Sequence, residues 1–176
     1  MLRHLIAAEK QKPLGAKEAL AMSFRKNLRS VEYDDLKTIT LNQLLPQPTS
    51  GVLILFMDKR KPDKEVGHWI LLFRSPQAGV EFFDPLGLGY RAIIRMSRNP
   101  DKLQQILRKA DAYVSKKDYQ RRSHAQTCAR HCVTRYNCAS LGPKDYAALM
   151  HDPRMDPDEI VIMLTMSQDL TKFNPK

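Results

Sequence analysis

"HWILLFRSPQAGVEFFDPLG", residues 68–87, carries the clearest strand pattern in this chain of 176 residues. Two runs rich in apolar and aromatic residues flank "SPQAG", whose serine, proline and glycine are typical of a turn. The two runs are therefore predicted to pair as an antiparallel hairpin. The run "GVLILFMD" (residues 51–58) predicts a further strand. Strands this apolar are expected to lie centrally in a sheet that is covered on both faces.

Apolar residues at helical spacing dominate the chain on both sides of these strands. Segments with this spacing are residues 1–12, 15–28, 30–48, 90–114, 128–141 and 142–170. The first could equally be a frayed end, the third is mixed, and "HDPRMDP" interrupts the last. The predicted fold class is α+β, with a mixed or antiparallel sheet of about four or five strands packed with helices. We expect a single domain, with a helical N-terminal part (residues 1–45) and a core (residues 50–165).

The composition indicates a soluble protein with a basic surface. Lys and Arg total 29 against 19 Asp and Glu, a formal net charge of +10. No apolar run approaches the roughly 20 residues that cross a bilayer, and the start of the chain lacks the apolar stretch of a signal peptide. We therefore expect an intracellular, soluble protein without membrane contacts. Its positive charge favours contact with a polyanion such as nucleic acid.

Residue types that together can make a nucleophilic site occupy the ends of predicted elements. His68 begins one strand of the hairpin, Asp84 ends its partner, and Cys128 begins a helix. Because the start of one strand lies beside the end of its antiparallel partner, Asp84 can orient His68 and stabilise its imidazolium form. A helix N-terminus and an adjacent imidazolium both lower the pKa of a thiol, so Cys128 is a candidate nucleophile. Backbone N–H groups at that helix start could stabilise an oxyanion together with Gln120 or Gln126.

The order of these motifs resembles that of the adenovirus-type (adenain-like) cysteine proteases. The chain presents "GHW", then "FFDPLG", then a glutamine followed by a CxxxC helix start. This family belongs to a clan shared with the proteases that remove ubiquitin-like modifiers. The likeness covers residues 50–165, and the order His, Asp, Cys distinguishes it from the papain order. The resemblance implies the adenain-like fold, with the nucleophile at the N-terminus of a buried central helix.

The resemblance also implies a role for each matching residue. Cys128 would be the nucleophile, His68 the general base and Asp84 the group that orients His68. Gln120 would be the oxyanion-hole amide, beside the backbone N–H of Cys128. Trp69, the only tryptophan of the chain, would line the substrate cleft.

Two positions depart from the family pattern. Ala129 stands where the family usually has glycine, which matters only if the backbone there needs a positive φ or a close approach. Gln120 lies further before Cys128 than is usual, whereas Gln126 lies only two residues before it. We favour Gln120 as the oxyanion-hole residue and keep Gln126 as the alternative.

The implied function is that of a cysteine endopeptidase that matures viral structural-protein precursors at small or Gly-containing sites. The same triad serves proteases that remove ubiquitin-like proteins, but the small size of the chain favours the viral function. By resemblance, the setting is a virion or an infected host cell, the substrates are viral precursor proteins and the protein is a monomer. No cofactor is needed for the chemistry, and DNA or a small peptide could act as an activator.

A zinc site would use some of the same residues. The candidate ligands are Cys128, His131, Cys132, Cys138 and His124. Their spacing is not a familiar zinc pattern, and one helix does not easily close a tetrahedron, so no metal is predicted.

A basic nucleic-acid-binding domain without catalysis is the other alternative. The basic blocks are Lys59, Arg60 and Lys61, and Lys116, Lys117, Arg121 and Arg122. Aromatic residues that could stack on bases are scarce, at 7% of the chain. We therefore expect nucleic-acid contact to accompany catalysis and not to replace it.

Overall fold

The computed structural model of the chain describes residues 2–57, 67–96, 100–120 and 125–172. It confirms the α+β class, since five strands form one mixed sheet that is packed with helices. In chain order the elements are α1 (Leu2–Lys10), α2 (Ala16–Ala21), β1 (Leu28–Glu32), a 3₁₀ helix (Tyr33–Thr38), α3 (Leu41–Leu44), β2 (Gly51–Met57), β3 (Gly67–Ser75), β4 (Gly79–Phe83), α4 (Tyr90–Met96), α5 (Pro100–Lys109), β5 (Tyr113–Val114), α6 (Cys128–Asn137), α7 (Pro143–Leu149) and α8 (Pro157–Lys172).

The sheet is built around the predicted hairpin. β3 and β4 pair antiparallel, with Leu71 opposite Phe83, and β2 pairs antiparallel with the other edge of β3. The outer strands β1 and β5 run parallel to β2 and β4. The resulting order is β1-β2-β3-β4-β5, in which the three apolar strands are central, as expected.

Successive side chains of the central strands point to opposite faces of the sheet, and they pack into two separate hydrophobic cores. Leu71 and Phe73 of β3 pack on the face that α6 covers, where they meet Val133. Ile70 and Leu72 pack on the opposite face, in the core that includes residues of α5 and the 3₁₀ helix. Every residue of α6 is buried, between the sheet on one side and α2 and α8 on the other. The prediction of a buried central helix is confirmed.

The helix predicted over residues 15–28 is wrong in its second half. α2 has only six residues. The residues after α2 bind the side chain of Asn137 from α6, which donates to the carbonyl of Met22 (3.3 Å) and accepts from the hydroxyl of Ser23 (3.2 Å). The chain turns there into β1, a strand that the sequence did not predict. The N-terminal part is therefore not wholly helical, because it supplies an edge of the sheet.

The two long helical segments predicted on either side of α6 each contain two helices in the structure. The segment 90–114 contains two helices, α4 and α5, and ends in the short strand β5. The segment 142–170 contains α7 and α8, separated by "HDPRMDP" as predicted. Within the described ranges, no helix is long and apolar enough to cross a membrane.

Candidate active site

His68 and Asp84 meet where β3 begins and β4 ends. The distance between Nε2 of His68 and Oδ1 of Asp84 is 2.7 Å, a hydrogen bond. The Asp84 side chain is fully buried, and 14% of the His68 side chain is exposed. A buried carboxylate at this distance stabilises a protonated imidazole and fixes the orientation of its ring. The contact predicted across the hairpin is confirmed.

The turn after β4 holds the Asp84 carboxylate in place. Its two oxygens accept hydrogen bonds of 2.9–3.2 Å from the backbone N–H groups of Leu86, Leu88 and Gly89. Gly87, in the same turn, has a φ of +60°, and a side chain there would collide with the backbone of residues 117–118. The segment "FFDPLG" is therefore more than a turn sequence. Its backbone fixes the carboxylate that His68 contacts.

His68 also contacts the thiol of Cys128, at the start of α6. Burial acts to lower the pKa of His68, but hydrogen bonds to Asp84 and Cys128, with the negative charge of both, raise it from 6.5 to about 9. Because Nε2 faces Asp84, the other ring nitrogen, Nδ1, is left for the sulfur. Both partners therefore favour the protonated form of His68. The structure brings the three predicted residues together in one chain of contacts, and their catalytic roles stay predictions.

Cys128 occupies the first position of α6. Backbone N–H groups in the first turn of a helix have no partner inside the helix, and the dipole of the helix is positive there. Ala129, which stands in place of the glycine of the resembling family, is buried in the same turn. Among the described residues other than glycine, only Asp111 has a positive φ. The alanine therefore adopts its helical conformation without backbone strain.

The start of α6 is fixed from behind by α8. Asp158, in the first turn of α8, accepts hydrogen bonds from the hydroxyl of Thr127 and from Nε2 of His131, the latter at 2.9 Å. All three side chains are buried. Thr127 is the N-cap residue, but its hydroxyl turns to Asp158 and makes no bond to the helix backbone. This cluster fixes the residue that precedes Cys128, a feature that no sequence motif indicated.

A cleft of about 460 Å³ opens beside Cys128. Its lining residues are Pro13, Leu14, Gly15, Ala16, Leu55, Met57, Gly67, Trp69, Gln126 and Cys128. The indole N–H of Trp69 donates to the carbonyl of Leu14 at 3.0 Å, which ties the N-terminal segment to β3. Trp69 therefore lines this cleft, and its role in a substrate cleft stays a prediction. The contribution of residues 13–16 was missed, since this segment carries no motif.

The N-terminal segment is held in turn through α1. The ammonium of Lys10 forms an ion pair with Asp156, just before α8, at 2.8 Å. The carbonyl of Lys10 accepts the N–H of Gln126 at 2.6 Å. Glu9 pairs with Arg130 of α6. α1 is therefore bound to the chain on both sides of the candidate nucleophile.

The two candidate oxyanion amides lie in different environments. Gln120 is buried, and its Nε2 donates to the carbonyl of Ala125 at 2.6 Å. Its backbone N–H donates to the carbonyl of Pro85, in the turn after β4, at 2.9 Å. Gln126 is exposed and lines the cleft. Gln120 thus joins the turn after β4 to the segment that leads into α6, whereas Gln126 faces the open cleft, and both stay candidates.

The residues of the zinc alternative have other partners. Within the described ranges, no group of three or more His, Cys, Asp or Glu side chains could hold a metal ion. The thiol of Cys132 donates to the carbonyl of Trp69 at 3.4 Å, and burial raises its pKa well above the ordinary value. Burial also raises the pKa of Cys138. His124 lies outside the described residues.

The basic blocks considered for nucleic-acid contact are mostly undescribed. The residues outside the described ranges are Lys59, Arg60, Lys61, Arg121 and Arg122. Lys116 and Lys117 are described and exposed.

Comparison with known proteins gives one informative result. No protein-family model matches the chain. Over 147 residues the chain is 26% identical to the uncharacterized protein V9 of the Sputnik virophage. The aligned part covers 74% of this chain and 81% of that protein. The chain is therefore similar to a viral protein, and its chemistry has to be inferred from the site.

Proposed function

We propose that this chain is an adenain-like cysteine endopeptidase that processes viral precursor proteins. The proposal rests on one observation above all. Asp84, His68 and Cys128 form a continuous chain of contacts that ends at the first position of a buried helix. A carboxylate, an imidazole and a thiol in this order are the groups that thiol acyl transfer requires.

The proposed reaction begins with a thiolate–imidazolium pair. The Cys128 sulfur attacks the carbonyl carbon of the scissile peptide bond, and the carbonyl oxygen becomes an oxyanion. His68 donates its proton to the leaving amine as the C–N bond breaks. A water molecule then attacks the thioester while His68 takes up a proton from it, which releases the acid and restores Cys128. Asp84 keeps the imidazole ring in the orientation that both steps need.

The oxyanion would be held by the start of α6. The backbone N–H of Cys128 belongs to the first helical turn, where N–H groups have no partner inside the helix. Gln120 or Gln126 would supply a second donor. Each such donor contributes a factor of about 10² to 10³ to the rate of the chemical step.

Replacement of the candidate nucleophile tests the proposal directly. Cys128→Ala should abolish cleavage of a proteome-derived peptide library, because it removes the atom that forms the thioester. Cys138→Ala, the matched control at the other end of α6, should leave cleavage intact. Loss of activity in folded Cys138→Ala protein, or residual cleavage by Cys128→Ala, would overturn the assignment of the nucleophile.

The substrate class is distinguished by the cleaved sequences. The resemblance favours sites with small residues, often glycine, in virion precursor proteins, and the relative in the Sputnik virophage is also viral. Cleavage confined to the tails of ubiquitin-like proteins would instead assign the chain as a deconjugating protease. DNA binding by a chain that cleaves no peptide would favour the alternative of a non-catalytic basic domain.

The net charge of +10 favours DNA as an activator of this protease. The measurement is cleavage with and without DNA at several salt concentrations. Activation should fall steeply as salt rises, because contact with phosphates releases counterions. An unchanged rate in the presence of DNA at low salt would remove DNA from the proposal.

A further inference from the structure

A second cavity is lined by residues of β4, β5, α6 and α7, and it shares no lining residue with the cleft at Cys128. Its volume is about 180 Å³. The residues that line it are Glu81, Phe83, Tyr113, Ser115, Lys117, Tyr119, Arg135, Pro143, Lys144, Tyr146 and Ala147. It adjoins a groove of about 550 Å³, to which Tyr113, Pro143 and Lys144 also contribute. The proposed peptidase chemistry uses none of these residues.

Two largely buried residues of the lining carry hydroxyl groups that make no hydrogen bond within the described parts of the chain. Tyr119 is 4% exposed and Ser115 is 5% exposed. Neither side-chain hydroxyl makes a hydrogen bond within the described parts of the chain. The ring of Tyr119 packs against Phe83 and Tyr146, each at 5.5 Å between ring centroids, which fixes where the hydroxyl lies. The hydroxyls of Tyr119 and Ser115 are open to the cavity, whereas that of Tyr146, which also lines it, is buried and has no hydrogen-bond partner within the described parts of the chain. Buried hydroxyls normally have partners, so an unpaired one beside two open donors favours a polar group bound in this cavity.

The Tyr119 hydroxyl is a donor at any ordinary pH. Burial raises the pKa of Tyr119 to about 12, against the opposing effect of the nearby Arg135 and with a further rise from Glu81. Tyr119, Arg135 and Glu81 all line the cavity. A group that stays protonated in such a place favours a ligand that accepts hydrogen bonds.

The charges around the cavity favour an anion. The one carboxylate of the lining, Glu81, is fully engaged by Arg135 through two hydrogen bonds of 2.8 and 2.7 Å. Lys117 and Lys144 are exposed and line the cavity, and the Lys117 ammonium lies 5.6 Å from the centre of the Tyr119 ring. With the buried ion pair neutral, the two lysines leave the cavity with a net positive charge.

We propose that this cavity binds a free phosphate ion or the terminal phosphate of a small phosphomonoester, through the hydroxyls of Tyr119 and Ser115 and the ammonium groups of Lys117 and Lys144. Four donors around a small cavity suit a tetrahedral oxyanion. The adjoining groove leaves space for the organic part of a phosphomonoester. The two hydroxyls belong to residues that are largely buried, so a terminal phosphate reaches them and the diester backbone of DNA does not.

The test is a titration with inorganic phosphate at constant ionic strength, followed by ³¹P NMR and calorimetry. Wild-type protein should bind one phosphate per chain in a saturable manner. Tyr119→Phe keeps the packing of the ring and removes the hydroxyl alone, and it should weaken binding about tenfold or more. Lys144→Gln should weaken binding to a similar degree. Lys116→Gln is the matched control, because it removes one exposed positive charge beside Lys117 but outside the lining.

The variants distinguish a specific phosphate site from general attraction of anions to a positively charged surface. An equal loss for Lys144→Gln and Lys116→Gln would overturn the proposal, as would the absence of saturable binding to the wild type. A parallel titration with acetate tests which anion the cavity prefers. Saturable binding of acetate without binding of phosphate would reject phosphate as the class of ligand. Thermal unfolding without ligand checks that Tyr119→Phe is folded. Ser115→Ala supplies a second hydroxyl deletion if it is not.

Discussion

Replacing Asp84 with asparagine should lower the pH at which His68 loses its proton. The substitution keeps the shape of the side chain and removes the negative charge that lies 2.7 Å from Nε2 of His68. One oxygen remains to accept backbone N–H groups of the turn after β4, so the fold is expected to persist. The consequence should be visible in the reactivity of Cys128, the partner of His68 in the proposed reaction.

The structure sets the size of the effect. The rise in the pKa of His68 from 6.5 to about 9 corresponds to about 3 kcal/mol in favour of the protonated ring. Asp84 and Cys128 share this contribution. Removing one opposite charge at such a distance lowers a pKa by about one pH unit or more. Because the pKa is raised on folding, the pairing stabilises the folded protein fully below about pH 6.5, and this stability is lost as the pH rises through about 9.

The assay is alkylation of Cys128 by iodoacetamide across the pH range, read by peptide mapping. At pH 6 an ordinary thiol is less than about 1% thiolate, whereas a thiol paired with an imidazolium reacts at a rate far above this level. Wild-type protein should therefore react at pH 6, and His68→Gln should lose most of that reaction. In Asp84→Asn the pH range of the imidazolium-dependent reaction should end lower by about one pH unit or more. Cys132, which is fully buried, is the internal control and should stay unmodified.

The contact between Asp84 and His68 also predicts how substitutions at each residue change the rate of peptide cleavage. Asp84→Ala should reduce the rate less than His68→Ala, because it removes the orienting group and not the proton donor. Superimposable alkylation profiles for wild type, His68→Gln and Asp84→Asn would contradict the first prediction, because His68 would then have no influence on the thiol.

Three further predictions concern the surroundings of the site. Alanine replaces Gln120 in one variant and Gln126 in another, and the variant that loses the oxyanion donor should show kcat lowered by about 10² to 10³ in a peptide-cleavage assay. The other variant should cleave at nearly the wild-type rate. Small effects of equal size in both would exclude both residues as the oxyanion donor. Asp158→Asn should lower the free energy of unfolding by about 1–3 kcal/mol in urea, because it weakens two buried hydrogen bonds behind α6, and an unchanged unfolding midpoint would contradict this. Glu81→Gln should lower the free energy of unfolding by about 3–5 kcal/mol in urea, because it leaves Arg135 charged and without its carboxylate partner in the core. A variant more stable than the wild type would show that the fold does not need this ion pair.

The central strands and the main contact of the site could be predicted from sequence because both depend on neighbouring segments of chain. Apolar residues on both sides of β3 and β4 require cover on both faces, and a tight turn fixes which ends of the strands meet. The meeting of His68 with Asp84 follows from that hairpin. The position of Cys128 at a helix start was likewise readable, because helical spacing begins there.

The N-terminal part could not be predicted because contacts distant in sequence determine it. The residues of α2 and those after it have similar helical spacing, but the Asn137 side chain ends the helix by bonding to Met22 and Ser23. β1 is short, and its exposed and partly buried residues give a weak strand pattern, so pairing with β2 decides its conformation.

The α+β class, the hairpin, the helix that begins at Cys128 and the pairing of a histidine with an aspartate could all be predicted from the residues along the chain. Contacts between distant segments placed the thiol of Cys128 near His68, made residues 13–16 part of the wall of the cleft and set Asp158 behind α6. They also brought the hydroxyls of Tyr119 and Ser115 and two lysines together around a second cavity. The physical reason is the range of the interactions. Strand and helix patterns come from neighbours along the chain, whereas these sites are assembled from segments that burial and hydrogen bonding bring together only in the folded protein.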